Sequence, residues 1–410
     1  MDVDQFKLNS GLNVILVPQP EATSVAIELM VRVGSKHEKV SQEGLAHFFE
    51  HMVFKGTEKW PTSQKLTRFL DGIGAIYNAF TSKERTAYWV KVAPRYFNSG
   101  LEVVSQLLNH SLVKAEEIEV EKGVIIEEMN MYEDQPADWV DDLFEEQLLG
   151  RNRLGRSILG RKEVIKKVSR KDFLQFRKEW YSPQRMSLAV VGKIEDIERV
   201  KEKIGKLFDS KKGAEKNEPQ VKTKSKKEKT FWQDKKTQQT HFMVGLPTFS
   251  IADDRWPELH VVNGVLGRGM SSRLWRVIRE KRGWAYYVYS YCREYSQAGF
   301  LAITVGVKNE VAKEAISLVE KEISRISKDL KKSEVEKAKR MIICRIMISM
   351  EYPAGITTML NSNWLLRKEI IRPEDIAEKI EKVIFEKAKN VTSQIFVPSK
   401  VRIAAIGPKN

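Results

Sequence analysis

The residues best equipped for chemistry are His47, Glu50 and His51, within Gly44-Leu-Ala-His-Phe-Phe-Glu-His-Met-Val-Phe-Lys-Gly56. If this stretch is helical, positions i, i+3 and i+4 share a face and the three side chains project together. Two imidazoles one turn apart can hold one Zn2+, which in catalytic sites takes three protein ligands and keeps a fourth position open to water. A carboxylate between them could take a proton from that water. The chain has only six histidines, and two of them fall within these five residues, which weighs against a chance pairing.

A third ligand must come from elsewhere. Residues 116–134 read as an acidic amphipathic helix in which Glu121 and Glu128, two turns apart, share a face while Glu127 is turned away. Val124 and Ile125 lie near that stripe, and carboxylates among apolar neighbours are costly to bury unless paired or bound to metal. Periodicity alone does not choose between Glu127 and Glu128. The order His-x-x-Glu-His is the inverted zincin pattern.

Motif and spacing together resemble the pitrilysin and insulin-degrading group of zinc peptidases, which includes the mitochondrial processing peptidase. That group places a glutamate ligand seventy-six residues after HxxEH, and here residues 52–127 separate His51 from Glu128. The resemblance implies one Zn2+ per chain held by His47, His51 and Glu128, with Glu50 as general base. Glu121, one heptad before Glu128, would be the carboxylate that orients a ligand. Residues 75–92 would supply a sheet edge along which a peptide lies as an added strand. Asn78, Ala79, Thr81, Thr86 and Tyr88 stand there where the family has them. In the second half, Arg279 and Tyr286, seven apart, match the family's pair that binds the substrate backbone and supports the tetrahedral intermediate. Tyr287 would replace Tyr286 if the strand register differed by one.

By the same resemblance this is a half-length, two-domain, prokaryotic-type member. Its chains would pair as a homodimer around a closed chamber that admits short unfolded peptides, an endopeptidase in activity. Two alternatives share the fold. One is a non-catalytic core-type paralogue, which usually lacks the metal motif retained here. The other is one subunit of a heteromeric processing peptidase, which needs a partner with a glycine-rich loop.

Positioning such a site needs a scaffold, and the chain repeats one. Residues 180–192 align with 395–407 at an offset of 215, and His47–His51 aligns with His260–Gly264 at an offset of 213. Two nearly equal offsets imply duplication of a unit of roughly 200 residues. In the second copy Asn263 replaces Glu50 and Gly264 replaces His51, so the metal site belongs to the first copy alone. The expected domains are 1–209, a basic linker 210–228 and 229–410, each domain α+β with an antiparallel sheet packed by helices. Residues 12–17 and 24–33 read as strands, residues 63–72 as a helix, and residues 75–92 as two strands with a turn near Ser82.

Composition bounds the remaining classes. At 410 residues with 42% hydrophobic and 30% charged, the chain is globular with ample core. No apolar run approaches the roughly 20 residues of a membrane span, and the first residues resemble neither a secretory signal nor a transit peptide. The net charge is +15, but residues 201–240 hold 13 Lys against 6 Asp and Glu, nearly half of the excess. That tract has few aromatics and no recognition-helix pattern, so it reads as a solvated linker and no nucleic-acid partner is expected. With Cys292 and Cys344 alone, no disulfide framework exists, and a cytoplasmic setting is expected.

Overall fold

The computed structural model describes residues 1–209, 213 and 216–409. Residues 210–212, 214 and 215 of the expected linker lie outside the described residues.

The described residues build two sheets. The first comprises β1 (Asp4–Lys7), β2 (Asn13–Pro18), β3 (Val25–Val31), β4 (Ile76–Thr81), β5 (Thr86–Val92) and β6 (Met186–Gly192), in the order β1-β2-β6-β3-β5-β4. The second comprises β7 (Thr230–Asp234), β8 (Gln239–Thr248), β9 (Ala285–Glu294), β10 (Gly299–Lys308) and β11 (Arg402–Gly407), in the order β7-β11-β8-β10-β9. Without β1 the two orders are the same, which is the duplication seen in three dimensions. β4 and β9 are the corresponding edges.

The sheets are antiparallel except for one pair in each, β2 with β6 and β7 with β11. The expected antiparallel sheets packed by helices are present, with one parallel pair added in each. The returning strand enters after a long helical run, and such a crossover lets it lie parallel to its neighbour.

β2, β3 and β6 of the first sheet are buried on both faces, which is why they read as nearly continuous apolar runs. On one face Val14, Leu16, Ile27, Leu29, Leu188 and Val190 join the main core with the helices Leu45–Val53 and Phe97–Asn109. On the other, Ile15, Val17, Ala189 and Val191 pack on Ile356 and Leu360. Those two belong to the helix Pro353–Arg367, from the second half of the sequence. The second sheet is covered reciprocally: Met243, Phe300, Ala302 and Ala404 pack on Val140, Phe144 and Leu148 of the helix Pro136–Leu149, from the first half.

The compact units are accordingly interleaved. One contains Met1–Met129, Ser157–Pro219 and Ser349–Arg372; the other contains Asn130–Arg156, Gln220–Ile348 and Pro373–Asn410. A linear division at residues 209 and 229 follows the repeat along the chain, whereas the packing exchanges one helix between repeats.

The expected linker is also more fixed than its charge suggests. Glu218 accepts from Arg185 at 2.5 Å, lies 3.0 Å from His37 Nε2 and 3.2 Å from Arg32 Nε. Burial alone would raise the Glu218 carboxyl, but this cationic surround holds it far below the usual carboxylate range. Among the described residues no helix is long and apolar enough to cross a membrane.

Candidate metal centre and carbonyl-binding pair

The helix that carries the motif spans Leu45–Val53. Its start is fixed twice. Gly44 adopts φ +93°, and a Cβ there would meet the Leu159 carbonyl oxygen at 2.3 Å. The buried Glu38 carboxylate accepts the N–H groups of Gly44 at 2.9 Å and Ala46 at 2.7 Å, satisfying donors that the first turn leaves open. Seven of the nine residues are buried, and Phe48 and Phe49 pack on Phe173 and Tyr181. Only the face with Glu50 and His51 remains partly open.

The second helix runs Ala115–Asp134 and buries Ile118, Glu121, Ile125 and Met129. The spacing of three, four and four residues is one helical stripe, and Glu121 lies within it. Glu128 is half-buried one residue off that stripe, whereas Glu127 is exposed. Val124 corrects the sequence expectation: it is 47% exposed, so of the two only Ile125 joins the apolar flank.

His47, His51 and Glu128 bring one ligand atom each within 4.8 Å of one another. His47 Nε2 lies 3.6 Å from one Glu128 oxygen, and His51 Nε2 lies 3.6 Å from the other. These separations are too long for hydrogen bonds. They are close to the roughly 3.3 Å edge of a tetrahedron with zinc–ligand bonds of about 2.0–2.1 Å.

The protonation state of His47 supports the same fit. Burial, with the neighbouring His51 charge, pulls the His47 imidazole down to about 3, so it is neutral, as a ligand must be. Its Nδ1 is buried with no hydrogen-bond partner among the described residues. Burial pushes the Glu128 carboxyl up, against the pull of His51. Burial also pulls on His51, but the Glu121 hydrogen bond and the charges of Glu128, Glu121 and Glu50 outweigh it and hold that imidazole above its ordinary value. A cation among these crowded carboxylates would relieve the strain that their mutual repulsion creates. The donor set of two imidazoles and one carboxylate suits Zn2+.

Glu121 Oε1 lies 2.9 Å from His51 Nδ1, leaving Nε2 directed toward Glu128. Its other oxygen forms an ion pair with Lys55. Burial opposes ionisation of Glu121, but these two partners win and hold its carboxyl below the ordinary value. Lys55 escaped the sequence reading, although it stands one turn beyond His51.

Glu50 faces the same opening. Burial pushes its carboxyl up, while the Thr81 hydroxyl, donating to Oε2 at 2.5 Å, pulls it down. Thr81 thus bonds Glu50 directly, a contact its strand position did not reveal. It ends β4, the free edge of the sheet. Asn78 is exposed on this edge, and its Oδ1 accepts from the Ala79 N–H at 2.8 Å. The Thr86 hydroxyl donates inward to the Val33 carbonyl at 2.9 Å. Tyr88 is fully buried with its hydroxyl 3.0 Å from that of Tyr181, so both residues support the edge from within.

Similarity to known proteins agrees with this centre. Residues 13–162 match the family model described as Insulinase (Peptidase family M16), and residues 167–342 match Peptidase M16 inactive domain. The chain is 31% identical to an uncharacterized zinc protease of Bacillus subtilis, over 99% of this chain and 98% of that protein. It is 32% identical to one of Rickettsia bellii, over 98% and 97%. The fold superposes on the crystal structure of a protease from Helicobacter pylori with a TM-score of 0.90, at 20% identity and 99% coverage of both chains. The chain belongs to peptidase family M16.

In this M16 chain the second unit carries the degenerate repeat. The helix Trp256–Gly267 takes the place of the metal helix. His260 Nε2 lies 3.1 Å from Glu294, and Asn263 Oδ1 accepts from the Ser290 hydroxyl at 2.5 Å. Among the described residues the His47–His51–Glu128 group is the one cluster suited to a metal.

Arg279 lies on a π-helical turn, Trp275–Glu280, and donates to the carbonyl of Ala285 at the start of β9. Tyr286 is 76% exposed, whereas the Tyr287 hydroxyl lies 2.8 Å from His241 Nδ1. Of the two adjacent tyrosines, Tyr286 has the phenol open to a ligand. Both Arg279 and Tyr286 lie on the second compact unit, and the candidate metal ligands lie on the first.

Proposed function

We propose that this M16 protein is a zinc metalloendopeptidase that hydrolyses short unfolded peptides as a homodimer. The observation that carries the reading is one helical face on which His47 and His51 meet Glu128 while Glu50 is hydrogen-bonded to Thr81 of the free sheet edge. Zinc, when bound, polarises the scissile carbonyl and makes a water more acidic. His47, His51 and Glu128 hold it, and Glu121 fixes the His51 tautomer. A peptide adds to β4 by main-chain hydrogen bonds. Glu50 takes a proton from the attacking water and returns it to the departing amine, and the burial that raises its carboxyl makes it a better proton acceptor. Arg279 and Tyr286 donate to the substrate backbone and to the developing oxyanion.

The direct test is cleavage of a quenched peptide by the purified chain, before and after a chelator, with zinc measured by elemental analysis. About one zinc per chain and chelator-sensitive cleavage are expected. Full activity in metal-free protein overturns the mechanism, and an inactive zinc-loaded protein favours the non-catalytic paralogue.

The homodimer would complete each site with Arg279 and Tyr286 of the partner chain. Glu50→Gln and Tyr286→Phe proteins, each nearly inactive alone, are then unfolded, mixed and refolded. Random pairing makes half of the dimers mixed, and each mixed dimer has one intact site, so roughly a quarter of wild-type sites return. No recovery, with mixed dimers seen by mass spectrometry, replaces this arrangement by one completed within a single chain.

A further inference from the structure

The edge strand β9 is not regular. Tyr287 pairs with Gly306 and Ala285 pairs with Val307 on β10, so Tyr286 is an extra residue without a cross-strand partner. This is a β-bulge, a device that re-aims one side chain. It explains why Tyr286 is exposed while Ala285 before it is buried.

The bulge is held from both sides. Before it, Arg279 donates to the Ala285 carbonyl. After it, the Tyr287 ring lies across Gly306, where a Cβ would come within 2.6 Å of the ring. Gly306 in turn pairs with His241 on β8. Tyr287, Gly306 and His241 therefore form one row across three strands, and the missing side chain in the middle lets the outer two meet. The Tyr287 hydroxyl lies 2.8 Å from His241 Nδ1, and the rings stack with centroids 5.9 Å apart at 28°.

We propose that His241 and Tyr287 are positioning residues: their bond across Gly306 locks the bulge and so aims the Tyr286 phenol at the substrate carbonyl. The inference rests on the role given to Tyr286 in the proposed peptidase reaction. A side chain displayed on a bulge has no strand neighbours to fix its direction, so its aim depends on what pins the residue after it. A misplacement of a catalytic group by about 1 Å can cost on the order of 100-fold in rate.

The test uses the full-length zinc-loaded protein and steady-state cleavage of a quenched peptide. Variants are Tyr286→Phe, Tyr287→Phe, His241→Ala, His241→Gln, and Tyr286→Phe combined with Tyr287→Phe. Tyr287→Phe keeps the ring over Gly306 and removes one oxygen, so folding, zinc content and melting temperature serve as controls. The expected result is a kcat lowered about tenfold by Tyr287→Phe and by His241→Ala with KM little changed, the signature of an interaction expressed in the transition state. His241→Gln, which can still reach the hydroxyl, recovers part of the loss. Added to Tyr286→Phe, the Tyr287→Phe change has no further effect, because the two act as one unit. If Tyr287→Phe and His241→Ala fold, hold zinc and turn over at the wild-type rate, the lock is refuted while Tyr286 keeps its role. If their losses multiply fully with that of Tyr286→Phe, the lock is also refuted. If Tyr286→Phe itself is fully active, the role of Tyr286 fails first and the inference falls with it.

Discussion

The helices Leu45–Val53 and Trp256–Gly267 occupy corresponding places in the two repeats, and what they keep in common is scaffold. Each is largely buried, and each accepts a hydroxyl hydrogen bond of 2.5 Å from its edge strand: Thr81 to Glu50, and Ser290 to Asn263. They differ in how they meet the next long helix. In the first repeat His51 and Glu128 face each other at 3.6 Å, a separation that suits a metal between them. In the second, Gly264 stands where His51 would, and a Cβ on it would already lie 3.1 Å from Ala338 and 3.4 Å from Ile342. Apolar packing has closed the space that an imidazole and a cation require. The duplicated scaffold is kept in both repeats, and the candidate metal group occurs in one of them.

The largest effect expected from this contrast is at Glu50. Glu50→Gln keeps the shape, both imidazoles and the Thr81 contact, so zinc content should not change while the peptidase rate falls by about 10²–10⁴. His260→Ala, at the matching helix of the second repeat, should leave zinc content and rate near wild type. Elemental analysis beside the quenched-peptide assay separates these cases. Zinc lost in Glu50→Gln, or lost in His260→Ala, would break the assignment of the metal site to the first repeat alone.

A smaller effect is expected one step behind the ligands. Glu121 is buried, ties His51 Nδ1 at 2.9 Å and is itself tied to Lys55. Glu121→Gln retains the acceptor but loses the charge, so zinc affinity should fall by about 10–100-fold with the fold intact. Competition with a metal indicator measures it. An unchanged affinity would make the Lys55–Glu121 pair an ordinary packing contact.

Much of this arrangement was legible in the sequence, and the reasons differ by residue. His47, Glu50 and His51 lie within one helical turn, so local geometry places them together. The near-equal offsets of 213 and 215 implied a duplicated unit, and the strand order that it repeats came only with the structure. Glu128 needed the spaced motif, because periodicity says which face a residue shares but not what stands opposite. The exchange of Pro136–Leu149 and Pro353–Arg367 was invisible, since each helix carries an apolar face that either sheet could cover. Glu38 and Lys55 were invisible for a related reason: a carboxylate that caps a helix, or a lysine that grips a buried glutamate, looks like any surface charge until tertiary contacts are known. The bulge at Tyr286 depends on Gly306 and His241, on strands whose register no local pattern gives.

The smallest effect concerns the exchanged helices themselves. On the second sheet the covering helix meets Met243 with Val140 and Phe144, an apolar contact. On the first sheet the register-equivalent residue is Glu28: it pairs with Ala189 of β6 as Met243 pairs with Ala404 of β11. Glu28 is 1% exposed and receives hydrogen bonds from Thr358 at 2.5 Å and Asn361 at 3.0 Å of the helix Pro353–Arg367. Burial pushes its carboxyl from 4.5 up to about 7, although those two donors and the more distant Arg85 charge pull the other way. Between those values the folded chain holds a proton that the unfolded chain has released. Stability should therefore fall as pH rises through that window, and the loss is complete above about 7. The shift corresponds to a few kcal/mol at most, on the order of 1–3 kcal/mol, and Glu28→Gln removes the charge that causes it. The variant should match wild type in thermal midpoint near pH 5 and exceed it near pH 8. Met243→Gln, on the sheet whose contact is already apolar, should lower the midpoint by the same amount at both pH values, because no proton is involved. A Glu28→Gln difference that does not change with pH would mean that the carboxylate is ionised in the fold throughout, with Thr358 and Asn361 outweighing the cost of burial.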